Sequence, residues 1–233
     1  MAKISAGSYE MNKWLYGGYD KDIVTVMYGG PGTGKTNFCL ITAVSQAKKG
    51  NKVIFIDTEG GFSSERVKQI VGEDKEEFNK VLKNILLLKP TNFEEQKQAF
   101  QELLKNLKKE VSLIVVDGLT ILYRLDFASA RQDKTDENAY RKINAELAKQ
   151  MRTLAEIARK QNIPVLATAQ AYRWEEADRI VGGDIIKYWA KCIIELENEK
   201  GKRTAYLRKH RSIKESSFGF IIDGRGIRKK GWI

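Results

Sequence analysis

Residues Gly29-Gly30-Pro31-Gly32-Thr33-Gly34-Lys35-Thr36 fit the pattern G-x-x-x-x-G-K-[S/T], and they lie between a β-branched run, Ile23 to Tyr28, and a helical pattern, Lys35 to Lys49. A strand that turns through glycines into a helix commits the chain to an α/β fold, because the helix has to cross back over the sheet before the next parallel strand can form. The same eight residues carry chemistry. Their glycines let backbone N–H groups turn inward around an anion, and the helix N-terminus adds partial positive charge. Lys35 is long enough to reach the β and γ oxygens of ATP, and the Thr36 hydroxyl suits Mg²⁺. Gly29 through Thr36, with Asn37 behind them, form the candidate nucleotide cradle, and Lys35 is also a candidate catalytic residue. A turn that was merely glycine-rich would not need Lys-Thr at the start of its helix.

The rest of the chain repeats the pattern this motif sets. Lys52 to Asp57, Ser112 to Asp117 and Pro164 to Ala169 are short apolar runs that read as buried parallel strands. A helix is expected from Thr91 and Asn92, where Phe93, Phe100, Leu103, Leu104 and Leu107 make an apolar stripe. Glu94 and Glu95 stand in its first turn and Lys105, Lys108 and Lys109 in its last, as the helix dipole favours. After an irregular polar stretch, Tyr140, Ile143, Leu147, Met151, Leu154 and Ile157 recur at three- and four-residue intervals, which predicts one long amphipathic helix from Glu137 to Gln161. Beyond Gly183, strands near Ala190 to Glu197, Thr204 to Lys209 and Phe218 to Ile222 are separated by glycine-bearing turns, which suggests antiparallel pairing at one side of the sheet. With 233 residues, 42% hydrophobic, one α/β domain over residues 1–233 accounts for the whole pattern.

Asp117 ends an apolar strand, where a carboxylate holding magnesium belongs, so Thr36 and Asp117 are the candidate metal residues. Glu59 follows the strand ending at Asp57 and is expected at the carboxyl edge of the sheet, placed to deprotonate an attacking water. The charge is uneven. Residues 200–233 hold eleven Lys/Arg against Glu215 and Asp223, a net +9 of the chain's +11, and such a field favours a polyanion such as nucleic acid. Cys39 and Cys192 sit in apolar stretches outside any C-x-x-C pair and read as small buried hydrophobes. No run is apolar and long enough for a membrane span or a secretory signal, so the expected location is cytoplasmic with no membrane partner.

Ile4-Ser5-x-Gly7-Ser8, the glycine motif, Ile56-Asp57-Thr58-Glu59-Gly60-Gly61-Phe62-Ser63-Ser64-Glu65-Arg66 and Val115-Val116-Asp117-Gly118-Leu119-Thr120 resemble, in order and spacing, successive motifs of the RecA/RadA recombinase superfamily. Ala167-Thr168-Ala169-Gln170 is similar to the strand-end glutamine motif of that superfamily, and Val181 to Ile186 to the segment after its second DNA-binding loop. The resemblance implies a RecA-type P-loop NTPase with ATP and Mg²⁺ as cofactors. It gives Glu59 the role of catalytic glutamate, Gln170 that of the glutamine sensing the γ-phosphate, and Arg66 a place near the adenine. Tyr123 through Lys134 resembles the first DNA loop and Ala171 through Arg179 the second. Arg124, Arg131, Arg173 and Arg179 are the candidate DNA contacts, opposed in the second loop by Glu175, Glu176 and Asp178. Lys209, His210 and Arg211 are candidates for reaching the γ-phosphate of a neighbouring subunit.

The sequence lacks the helix-hairpin-helix N-domain and hook-bearing linker of RadA, which resembles a core-only archaeal branch of the superfamily. That branch implies a weakly hydrolysing accessory protein of homologous recombination and DNA repair. Its partners would be DNA, single-stranded in the first instance, with a RadA-type recombinase or another repair protein, and further copies of the chain as a homo-oligomer. The competing expectation is a KaiC-like regulatory ATPase acting through protein contacts without DNA. It would share the cradle, Glu59 and Asp117; the basic C-terminal segment favours DNA and the acids of the second loop favour the rival.

Overall fold

A computed structural model describes residues 2–132, 138–174 and 177–229. In chain order the elements are β1 (Lys3–Ile4), α1 (Tyr9–Trp14), β2 (Tyr19–Asp20), β3 (Val24–Gly29), α2 (Lys35–Lys48), β4 (Lys52–Asp57), α3 (Ser64–Val71), α4 (Lys75–Lys83), β5 (Ile85–Leu88) and α5 (Phe93–Asn106). There follow β6 (Val111–Asp117), α6 (Ile121–Gln132), α7 (Ala139–Gln161), β7 (Val165–Trp174), β8 (Ala177–Ile180), α8 (Gly183–Trp189), β9 (Cys192–Glu199), β10 (Lys202–His210), β11 (Ser216–Asp223) and β12 (Gly226–Lys229).

The main sheet runs β12-β11-β10-β9-β3-β7-β6-β4-β5, with β8 added on β7. From β9 to β5 every pairing is parallel. Strands β10, β11 and β12 form an antiparallel wing. Most of the basic C-terminal segment is therefore sheet. Helices cover both faces, and the strands alternate between two cores: Val53 and Phe55 join the core under α2, Ile54 and Ile56 the core under α5 and α7. Burial on both faces is why these strands read as unbroken apolar runs. The predicted α/β class, with a mostly parallel sheet and antiparallel strands on the C-terminal side, is what the structure has.

Local chemistry sets the helix boundaries. The side chains of Ser8, Ser63, Asp74 and Asn92 each accept a hydrogen bond from a backbone N–H in the first turn of the helix they precede. The N-terminal segment is stitched onto α2, where Thr42 Oγ1 donates to Ala6 O at 3.0 Å. A Cβ on Gly7, whose φ is +89°, would stand 2.4 Å from Ile41 O, so only glycine allows this approach.

Two expectations need correction. The stretch after Asp117, read as the irregular first DNA loop, is the helix α6 through Gln132, and its apolar residues Leu122 and Tyr123 pack into the core. The segment read as the second loop is a continuation of β7 that pairs antiparallel with β8, Tyr172 facing Arg179 in register. Among the described residues no helix is long and apolar enough to cross a membrane. Cys39 and Cys192 are buried free thiols, as expected.

Parallel register brings the functional candidates to one edge. Gly29 pairs with Gln170 across β3 and β7, and Asp57 with Asp117 across β4 and β6, so four strand tips meet at the carboxyl edge. Ligands of open α/β sheets bind at that edge.

Candidate functional site

Gly34 caps α2 in the left-handed region, φ +108°, and a Cβ there would meet Ile222 Cδ1 at 2.7 Å. Lys35 follows and folds back over the loop, its Nζ donating to Gly29 O at 2.9 Å and Gly30 O at 3.0 Å. Thr33 Oγ1 donates to Gly30 O at 2.9 Å. Burial pulls the Lys35 ammonium below the usual lysine value, against the opposing attraction of Glu59 and Asp117. Beside it opens a cleft of about 500 Å³, lined by the loop from Pro31 to Asn37, by Glu59, and by Arg203 and Ile222 from the antiparallel wing. Asn198 Nδ2 donates to Gly32 O at 3.3 Å and ties that wing to the loop.

Asp117 is 1% exposed. Its Oδ1 accepts from Thr168 Oγ1 at 2.7 Å, and the same Thr168 oxygen accepts from Gly118 N at 2.6 Å. Its Oδ2 is buried without an aligned hydrogen-bond partner among the described residues. The space in front of Oδ2 is shared with Thr36: a Cβ built on Gly61 would stand 3.0 Å from Thr36 Oγ1 and 3.4 Å from Asp117 Oδ2. Burial raises the Asp117 carboxyl to about 6; nearby hydroxyls of Thr36 and Thr168 act against that shift, and the charges of Glu59 and Asp57 add to it. A buried carboxylate oxygen left short of a partner beside a helix-start hydroxyl fits a magnesium site, since a hard cation takes such oxygens as ligands.

Two supporting residues escaped the sequence reading. Asp57 is buried, and its carboxylate accepts from Gly61 N at 3.0 Å and Phe62 N at 2.9 Å, closing the turn that carries Glu59. Thr168 is the strut of Asp117 just described. Their signal was present as polar residues inside apolar strands, but which atoms they hold depends on neighbours more than forty residues away or on a turn of irregular shape. Glu59 itself is exposed at the lip, and its side chain lies against Gly118, where a Cβ would come within 2.7 Å of Glu59 Cγ. Gln170 is half-buried; its backbone N donates to Thr120 Oγ1 at 3.1 Å, and its Oε1 accepts from Arg124 Nη1 at 3.4 Å. Arg66 Nε donates to Asn37 Oδ1 at 2.8 Å, which joins two of the candidate nucleotide residues at the mouth of the cleft.

The remaining candidates are dispersed. Arg124 lies on α6 beside Gln170, and Arg179 is exposed on β8. Arg131 and Arg173 fall in α6 and β7, with side chains outside the described residues, as are residues 133–137 and 175–176 altogether. Lys209 and His210 close β10 at the amino edge of the sheet, opposite Gly29, with Arg211 next to them. Lys209 Nζ donates to Lys187 O at 2.7 Å. The His210 ring is buried near Asp20, and the Arg211 guanidinium donates to Asp20 Oδ2 at 3.1 Å and to Asp22 Oδ1 at 2.7 Å.

A parallel sheet with this cradle, acids at two adjacent strand tips and a glutamine at a third defines a P-loop domain of the RecA type. Residues 1–230 match the family described as Rad51, and the chain belongs to that family. It is 42% identical to a protein of Methanobrevibacter smithii named DNA repair and recombination protein RadB, covering 91% of this chain and 90% of that one. A protein of the same name from Methanocaldococcus jannaschii is 39% identical, over 91% of this chain and 96% of the other. Among solved structures, one described as the crystal structure of the RadB recombinase superposes with a TM-score of 0.80 at 31% identity, covering 98% of this chain and 100% of that one.

Proposed function

We propose that this chain binds ATP with Mg²⁺ in the cradle from Gly29 to Asn37, hydrolyses it slowly, and acts on single-stranded DNA as an accessory protein of homologous recombination and repair. The observation that carries the nucleotide reading is the buried Asp117 Oδ2 beside Thr36, with no aligned hydrogen-bond partner among the described residues, next to Lys35, whose ammonium donates to its own loop's carbonyls. The DNA reading is supported by family membership and by the printed name of the relatives. A RadA-type recombinase or another copy of this chain are the protein partners that fit it.

The chain's own groups divide the work. Lys35 exchanges the Gly29 and Gly30 carbonyls for phosphate oxygens, Thr36 and Asp117 are the residues that would hold the metal, and Arg66 with Asn37 borders the base. Bound Mg²⁺ supplies charge neutralisation on the phosphate oxygens. Glu59 accepts a proton from the attacking water at its carboxylate. Gln170 leaves Arg124 to meet the γ-phosphate, so nucleotide state reaches α6 and the β7–β8 hairpin.

Calorimetry with Mg-ATP and turnover with and without single-stranded DNA test this. Lys35→Ala is expected to weaken nucleotide binding, whereas Glu59→Gln keeps binding and lowers turnover about a hundredfold. Equal turnover in wild type and Glu59→Gln removes Glu59 from the chemistry. DNA binding, followed by fluorescence anisotropy, is expected to weaken steeply with salt. No binding at low salt, with or without ATP, would leave the regulatory, protein-only reading in place of the DNA one.

A further inference from the structure

The antiparallel wing brings an arginine into the cleft that the sequence reading had counted only as part of a basic segment. Arg203, near the start of β10, lines the same cleft as Lys35, Thr36 and Glu59. Its Nε is buried and has no hydrogen-bond partner among the described residues. A desolvated guanidinium N–H without an acceptor is costly unless something arrives to accept from it. Its position is fixed from two sides: Arg203 is paired with Asn198 on β9 and with Phe220 on β11, and Asn198 is hydrogen-bonded to Gly32 at the apex of the loop. Charge points the same way. Among the described residues lining the cleft, the charged ones are Lys35, Glu59 and Arg203, so Lys35 and Glu59 offset each other and Arg203 leaves the lining net positive.

We propose that Arg203 is a nucleotide-binding residue that grips the phosphate chain in cis, from the same subunit that supplies the loop. It rests on the reading of the cleft as a nucleotide site and adds the group that recognises the polyphosphate from the antiparallel wing. A planar guanidinium donates two parallel hydrogen bonds to phosphate oxygens, which an ammonium cannot do. Nucleotides with longer phosphate chains gain most from it, and the contact needs no neighbouring subunit.

The test is calorimetric titration of the full chain with Mg-ATP, Mg-ADP and AMP, for wild type, Arg203→Gln and Arg203→Lys, with the thermal midpoint of each nucleotide-free protein as the folding control. Arg203→Gln is expected to weaken ATP binding roughly tenfold or more, and AMP binding by less than about threefold, at an unchanged midpoint. Arg203→Lys is expected to fall between Arg203→Gln and wild type, and it carries the comparison should the glutamine variant fail to fold. Wild-type ATP affinity in the folded variants, or an equal loss for ATP and AMP, overturns the assignment of Arg203 while leaving the cleft a nucleotide site. Failure of wild type itself to bind ATP or ADP overturns the nucleotide reading and this inference together.

Discussion

Asp20 and Asp117 are almost equally buried, at 2% and 1% exposure, yet they stand at opposite edges of the sheet in opposite company. At the amino edge Lys3 Nζ approaches Asp20 Oδ1 to 2.8 Å as an ion pair, Arg211 Nε lies 3.1 Å from Oδ2, and His210 Nε2 stands 3.5 Å away. Burial alone would raise the Asp20 carboxyl, but Lys3, His210 and Arg211 outweigh it and hold the group below the usual range. At the carboxyl edge Asp117 has a threonine on one oxygen and no aligned partner on the other, and burial wins. Each acid has one buried oxygen with no aligned hydrogen-bond donor among the described residues, but Asp20 is neutralised by Lys3 and Arg211 whereas among those residues no cation pairs with Asp117; what separates the two is countercharge, not burial.

The contrast can be broken at four places, taken in order of size. Asp20→Asn leaves two cations facing a neutral amide and is expected to cost about 4 kcal/mol in a denaturant titration; a loss under about 1 kcal/mol would remove Asp20 as the hub of that edge. Asp117 comes next, through pH. Because its folded value of about 6 exceeds the ordinary 3.8, the folded chain binds the proton more tightly. Stability from this group is therefore greatest below 3.8 and falls as pH rises to about 6, by roughly 3 kcal/mol in all. Asp20 works with the opposite sign: its contribution is present at neutral pH and is lost as pH falls through its depressed value. Asp117→Asn should flatten the stability curve between pH 4 and 6, and Mg-ATP binding should weaken below pH 6 in wild type. A wild-type curve with no such fall would place Asp117 in an ordinary environment.

Thr168→Val, third, strips the Gly118 N–H of its acceptor and Asp117 of its donor. About 2 kcal/mol is expected to be lost, with Thr168→Ser recovering most of it. The smallest effect belongs to Arg124→Gln. Its contact with Gln170 is exposed and 3.4 Å long, so stability should change by less than about 0.5 kcal/mol. A larger change in the thermal midpoint would mean that α6 depends on Gln170 for its position.

Much of the carboxyl edge was legible in the sequence because its signals are local. The cradle is contiguous, Lys52 to Asp57 was read with the bounds it has, and the apolar stripe with acids in its first turn announced α5, which starts at Phe93. Asp20 was invisible for the opposite reason: Tyr19-Asp20-Lys21-Asp22 reads as ordinary surface charge, and only the return of β10 brings His210 and Arg211 to it from 190 residues away. The helix α6 was missed because Arg124 and Asp126 interrupt its apolar pattern. Its buried side, Leu122 and Tyr123, becomes evident only against α5 and α7. The β7–β8 hairpin was missed because alternation there mixes aromatic and charged residues, which resembles a loop built for contact.

The position of β9 has a consequence for the order in which the cleft is assembled. This strand begins at Cys192, far along the sequence from β3, yet it pairs with β3 beside the cradle and leads into the hairpin that hooks Gly32. Until it arrives, β3 has a neighbour on only one side, and the cleft lacks Arg203 and Ile222. A chain interrupted before β9 carries the whole glycine motif but not the wall made by Arg203 and Ile222, so the cleft closes only when the antiparallel wing has folded onto β3.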